Sequence, residues 1–190
     1  MSTGKKLAQT AQMLAERPFH GRTADQPSNL LPIVRLFPKW NLEQAERMWC
    51  AAFVYYCCIR AGFSIPYSPQ ECRSCSLAGC GGWEEFAQED KRIAYYDGQQ
   101  AIRDADFVWQ EGDILLYDRV FINKEHDHIG ILLKLEEEKL VVAEGNVRNT
   151  NCSGVVRREK DEHIRAIIRI PNGFVYEQKP TGRSGENDQN

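Results

Sequence analysis

No apolar run in this 190-residue chain approaches the roughly 20 residues that a membrane-spanning helix needs. The longest, Trp49 to Ile59, is too short and carries cysteines and tyrosines. No continuous hydrophobic core follows the basic pair Lys5-Lys6, so no secretory signal peptide is expected. Positive charge is not in excess either. The formal net charge is -3, whereas a nucleic-acid binder is marked by a basic face. There is no internal repeat. An even complement of cysteines is also missing: the seven cannot all pair within one chain, and without a leader reduced thiols are the default. What is present is ordinary for a globular protein, 42% hydrophobic and 27% charged residues in a length that closes one sizeable core.

Hydrophobic periodicity predicts helices first and strands afterwards. Residues 3–16 place Leu7, Ala11, Leu14 and Ala15 at helical spacing, and Arg17-Pro18 ends that helix. Residues 19–40 read as irregular, with an apolar piece from Leu30 to Leu36 that packs on the core. Asn41 and Gln44 have the spacing of a capping box, and the helical pattern that follows stops at Gly62. Its second half is apolar almost all round, as expected of a buried helix. If Glu43 to Arg47 is a separate approach, Cys50 stands near the start of that buried helix. Residues 63–82 read as irregular and 83–90 as a short helix. Strands are expected at 113–117, 128–135, 139–143, 154–157 and 164–170, with Glu136-Glu137-Glu138 as a hairpin tip. The order predicts an α+β domain with a small antiparallel sheet packed on a central helix.

Three positions combine reactive side chains with a useful place in that layout. Cys50 at a helix start has its thiolate favoured by the helix end, whose N–H groups also suit an oxyanion. His128 opens an apolar strand and is suited to take a proton from a thiol. Glu144 and Asn146 end the next strand, where either would fix the imidazole tautomer. Alone, each has a simpler reading: a small core residue, a histidine paired with Glu125 or Asp127, and a strand-ending turn. Their order along the chain is that of a papain-type cysteine protease, with nucleophile and base on opposite sides of a cleft.

Four blocks carry a more specific likeness. WCAAFV at 49–54, EGDILLYD at 111–118, HIGILL at 128–133 and VVAEGN at 141–146 resemble, in order, the signature blocks of CHAP domains, the cysteine, histidine-dependent amidohydrolases/peptidases. RREKDEHIRAIIRIP at 157–171 is similar to the final strand of such domains. The resemblance implies a papain-like fold whose N-terminal helix carries the cysteine, and cleavage of amide bonds in bacterial peptidoglycan. It implies Cys50 as nucleophile, His128 as base, Glu144 as orienting acid and Asn146 as the polar residue beside it. It requires no cofactor. The expected division is residues 1–40 as helix and lead-in, 41–175 as catalytic domain with a cysteine-containing insert at 63–110, and 176–190 as a polar, disordered tail. A monomer made in the cytoplasm is expected, reaching a cell wall by lysis or signal-independent export, in a phage-related or toxin-like setting.

The insert departs from the family pattern. Cys72, Cys75 and Cys80 form a Cys-x2-Cys with a third cysteine, half of a zinc site whose fourth ligand would be His20, His163, Cys152 or an acid. The simpler reading is a loop of buried or free thiols. Trp49, Trp83 and Trp109 are candidates to line a substrate groove, against the alternative of core packing. Two other functions are open at this point: a catalytically idle CHAP-like domain that binds peptides, and a thiol hydrolase or acyltransferase with a substrate outside the cell wall.

Overall fold

A computed structural model describes residues 3–178. Its elements are α1 (Thr3–Glu16), α2 (Leu31–Val34), α3 (Leu42–Ala45), α4 (Cys50–Ala61), α5 (Cys80–Glu89), β1 (Ala94–Asp97), α6 (Gly98–Arg103), β2 (Ile114–Tyr117), β3 (His128–Glu136), β4 (Lys139–Glu144), β5 (Gly154–Arg158) and β6 (Ile164–Arg169). The six strands form one antiparallel sheet in the order β1-β6-β2-β3-β4-β5. Six helices and one six-stranded sheet among the described residues make this an α+β fold.

The sheet alternates side chains between two apolar clusters, as the pleat requires. Ile114, Leu116, Ile129, Ile131, Ala143 and Ile168 join the larger core with α1 and α4. Leu115, Tyr117, Leu132, Val142 and Ile167 join a smaller one capped by Ala101 of α6. Central strands buried on both faces have no polar side to alternate, which is why HIGILL reads as a continuous apolar run.

The expected α1 forms and buries Leu7, Ala8, Ala11 and Ala15 in the same core as α4, so no structural break falls at residue 40. The apolar piece within 30–36 becomes α2. Asn41 makes the expected capping box with Gln44, but the helix it starts lasts only four residues. The chain then turns through Arg47, at φ 58°, and helix restarts at Cys50. Gly62 ends α4 at φ 96°, a left-handed conformation that glycine adopts without steric cost. The tail expected at 176–190 lies outside the described residues from 179 onward. Among the described residues, no helix is long and apolar enough to cross a membrane.

Candidate active site

The restart at Cys50 matters because it makes the cysteine the first residue of a twelve-residue helix. The N-cap residue, Trp49, supplies no side-chain cap, so the first-turn N–H groups are left for other acceptors. One of them, on Ala51, hydrogen bonds the Cys50 sulfur. The loop after β4 fixes where this helix begins. Asn151 accepts from the Arg47 N–H at 3.2 Å and the Trp49 indole N–H at 2.9 Å. Its amide donates to Glu46. Asn146 donates to the Arg47 carbonyl at 2.7 Å and accepts from the Asn151 N–H at 2.8 Å. Both asparagines have positive φ, which asparagine tolerates better than most residues.

His128 opens β3 opposite Tyr117 of β2, and Glu144 closes β4. The His128 Nε2 donates to Glu144 Oε2 at 2.8 Å, and both side chains are buried. That leaves the other ring nitrogen for Cys50, which lies within hydrogen-bonding reach. Arg158 of β5 grips the same carboxylate with two nitrogens, Nη2 to Oε2 at 2.8 Å and Nε to Oε1. Tyr117 stacks on the imidazole at 6.3 Å, Phe121 meets it edge-on at 4.9 Å, and the Arg158 guanidinium lies over both aromatic rings. Gly130, two residues into β3, leaves space for the acid. A Cβ there would sit 2.5 Å from Val142 Cγ1 and 2.9 Å from Glu144 Cγ. Gly130→Ala is expected to cost about 1–3 kcal/mol by overpacking and to displace Glu144. The urea midpoint and the rate of Cys50 alkylation should fall together.

The electrostatics follow from this packing. Burial lowers the proton affinity of His128, but the Glu144 carboxylate and Cys50 overcome it and raise the ring to about 9. Burial raises Glu144, and His128 with Arg158 more than offset it, leaving the carboxyl below its usual range. The Cys50 thiol falls well below its ordinary value. Its largest cause is a hydrogen bond from the Cys80 thiol, with burial opposing and His128 and the Ala51 N–H adding to it. These shifts all favour a thiolate beside an imidazolium, backed by a carboxylate and a guanidinium.

Cys50, His128 and Glu144 are thus brought together. Asn146 is not beside the imidazole; it anchors the segment that leads into α4. Trp49 and Trp83 are fully buried, with their indole N–H groups donating to Asn151 and to the Leu77 carbonyl at 3.0 Å, so neither lines a groove. Trp109 is half-buried and packs with Phe107 against the smaller core. The thiols of the insert diverge. Cys72 donates to the Gly82 carbonyl, Cys75 accepts from the Gly82 N–H, and Cys80 faces Cys50. Among the described residues, no three His, Cys, Asp or Glu side chains are placed to hold a metal ion. His126 pairs with Glu84 of α5, and His163 with the Asp118 carbonyl.

Sequence reasoning missed Arg158, Tyr117, Phe121, Asn151 and the position of Cys80. Each reaches the site through a contact made only in the folded chain.

No protein-family model matches the chain and no curated protein matches it. Among solved structures, one described as "The crystal structure of Ly7917" aligns at 10% identity with a TM-score of 0.49 over 90% of this chain. The chain spans 63% of that neighbour's length.

Proposed function

We propose that this protein is a cysteine amidohydrolase or peptidase with a papain-like arrangement, of the CHAP type, that cleaves amide bonds in peptidoglycan. The observation that carries the reaction type is the Cys50 thiol at a helix N-terminus facing a His128 ring held by the buried Glu144–Arg158 pair. The substrate class rests on the four sequence blocks.

The mechanism follows from the charges. The proton already sits on His128 before substrate arrives, so the Cys50 thiolate attacks the amide carbonyl directly. The Cys50 N–H, at the positive end of α4, receives the developing oxyanion. The imidazolium gives its proton to the leaving amine, leaving a thioester on Cys50 and a neutral ring. His128 then removes a proton from water, hydroxide attacks the thioester, and the thiolate leaves as the carboxylic acid forms. Glu144 keeps the ring in the required orientation and stabilises its charge, and Arg158 keeps Glu144 ionised.

The test is digestion of purified peptidoglycan by the protein and by Cys50→Ala, with products read by mass spectrometry. New fragments from the parent protein alone are expected, and their masses name the bond cut. If neither protein releases a fragment while Cys50 still reacts rapidly with alkylating agents, the substrate lies outside the cell wall and the peptidoglycan assignment fails.

A further inference from the structure

The mechanism above uses one thiol, yet a second lies beside it. Cys80 is the first residue of α5, 7% exposed, with its sulfur 3.9 Å from that of Cys50. Both cysteines are free. A disulfide needs about 2.05 Å between sulfurs, so closing the pair requires the two atoms to approach by about 1.9 Å. The remaining thiols are placed differently. Cys57 and Cys58 are fully buried within α4, Cys72 donates to the Gly82 carbonyl, Cys75 is exposed and turned to the Gly82 N–H, and Cys152 is half-buried in the loop before β5.

We propose that Cys50 and Cys80 form a redox-active dithiol that closes to a reversible disulfide when a hydroperoxide reaches the site. The Cys50 thiolate attacks the outer oxygen of the hydroperoxide, the O–O bond breaks, and the alkoxide or hydroxide leaves with the proton held by His128. Cys50 is then a sulfenic acid. The Cys80 sulfur attacks it, the S–S bond forms, the S–O bond breaks, and hydroxide leaves as water with the Cys80 proton. In sum, two thiols and one hydroperoxide give one disulfide, one alcohol or water, and one water. The two sulfurs are oxidised by two electrons in all, and the peroxide is reduced by the same two.

Three features support the sequence of events. Cys50 is half-buried, whereas Cys80 is enclosed, with its sulfur facing that of Cys50. The thiolate favoured at Cys50 is the form that attacks peroxides, and the neighbouring Cys50 sulfur, with burial, keeps Cys80 a thiol until it is needed. A nearby resolving thiol also diverts the sulfenic acid from irreversible oxidation to sulfinic acid. The loss of hydrolysis on closure rests on the reading of Cys50 as nucleophile; the disulfide itself does not.

The experiment is treatment of the full chain with an equivalent of hydrogen peroxide, blocking of free thiols with iodoacetamide, and peptide mass spectrometry with fragmentation to assign the linked sulfurs. A Cys50–Cys80 link is expected, lost on addition of dithiothreitol with both thiols recovered. In Cys80→Ser excess peroxide, at least two equivalents, should carry Cys50 through the sulfenic to the sulfinic acid, which dithiothreitol does not reverse. Sulfenic or sulfinic Cys50 with Cys80 still alkylated in the parent protein overturns the proposal, as does a link from Cys50 to any of the other five cysteines. So does the absence of oxidation at excess peroxide. Should Cys80→Ser not fold, the linked peptide of the parent protein decides alone. A Cys50–Cys80 link in a protein that, when reduced, cuts no peptidoglycan would leave the dithiol standing and remove the peptidoglycan assignment.

Discussion

Replacing His128 with alanine is expected to lower turnover on a cleaved amide substrate by about 10³-fold or more, as loss of one member of a nucleophile–base pair does elsewhere. Two separate functions are lost together. The thiolate loses its imidazolium partner, and the leaving amine loses its proton donor. The first loss is measurable without any substrate. Alkylation of Cys50 near pH 6 should slow markedly in His128→Ala, since its thiolate is then favoured only by Cys80 and the Ala51 N–H. Comparison with His128→Asn, which fills more of the space between Tyr117 and Phe121, separates this from a packing defect. If both variants turn over at the parent rate, His128 has no part in the chemistry.

The second large effect is on stability. Glu144 is fully buried and neutralises two cations, His128 and an Arg158 side chain that is 16% exposed. Glu144→Ala leaves the guanidinium without its carboxylate in a dry site, and breaking a buried pair in this way costs about 3–5 kcal/mol. Glu144→Gln keeps the shape and one acceptor and should fall between that variant and the parent. Urea denaturation at pH 7 measures the difference.

The pH dependence has a definite sign. Glu144 has its pKa depressed in the folded protein, so its contribution is present above the ordinary carboxylate range and fades as pH falls through the folded value. His128 has its pKa raised, so its contribution is complete below about 6.5, the unfolded value, and is lost as pH rises through about 9. The stability gap between the parent and Glu144→Ala should therefore narrow at both extremes. A gap that does not change with pH would contradict the ionised pair.

Most of the site's core could be read locally, because its signals are local. The Asn41–Gln44 capping box, the apolar run of α4 ending at Gly62, and the β3–β4 hairpin with its tip at Glu136–Glu138 depend on neighbours within a few residues. Cys50, His128 and Glu144 sit at the ends of those elements, so the same signals placed them. β1 and α6 were not visible. Ala94–Asp97 is three half-exposed residues and an exposed aspartate whose strand character comes from pairing with β6, some 70 residues on. α6 owes its start to an Asp97 cap.

Arg158 escaped for a related reason. In GVVRR it looks like one more exposed basic residue, and only the β4–β5 register sets it beside Glu144. Cys80 looked like part of a metal motif because Cys-x2-Cys spacing says nothing of where each sulfur points. For Trp49 and Trp83 the sequence leaves groove lining and core packing both open, and the structure shows core packing. Both have internal acceptors for their indole N–H groups and so can stay buried. Between Glu144 and Asn146 the sequence leaves the partner of His128 open; the hydrogen bond goes to Glu144, and the left-handed backbone of Asn146 turns its side chain toward Arg47.

The central claim is that Cys50 exists as a thiolate paired with the His128 imidazolium. The rate of Cys50 alkylation by iodoacetamide across pH, followed by peptide mass spectrometry against glutathione as reference thiol, tests it without knowledge of the substrate. The predicted profile rises at a pH well below the ordinary thiol value of about 8.5 and has a second inflection near 9, where His128 loses its proton. A Cys50 that tracks glutathione, with one inflection at or above 8.5, would contradict the ion pair and the nucleophile assignment built on it.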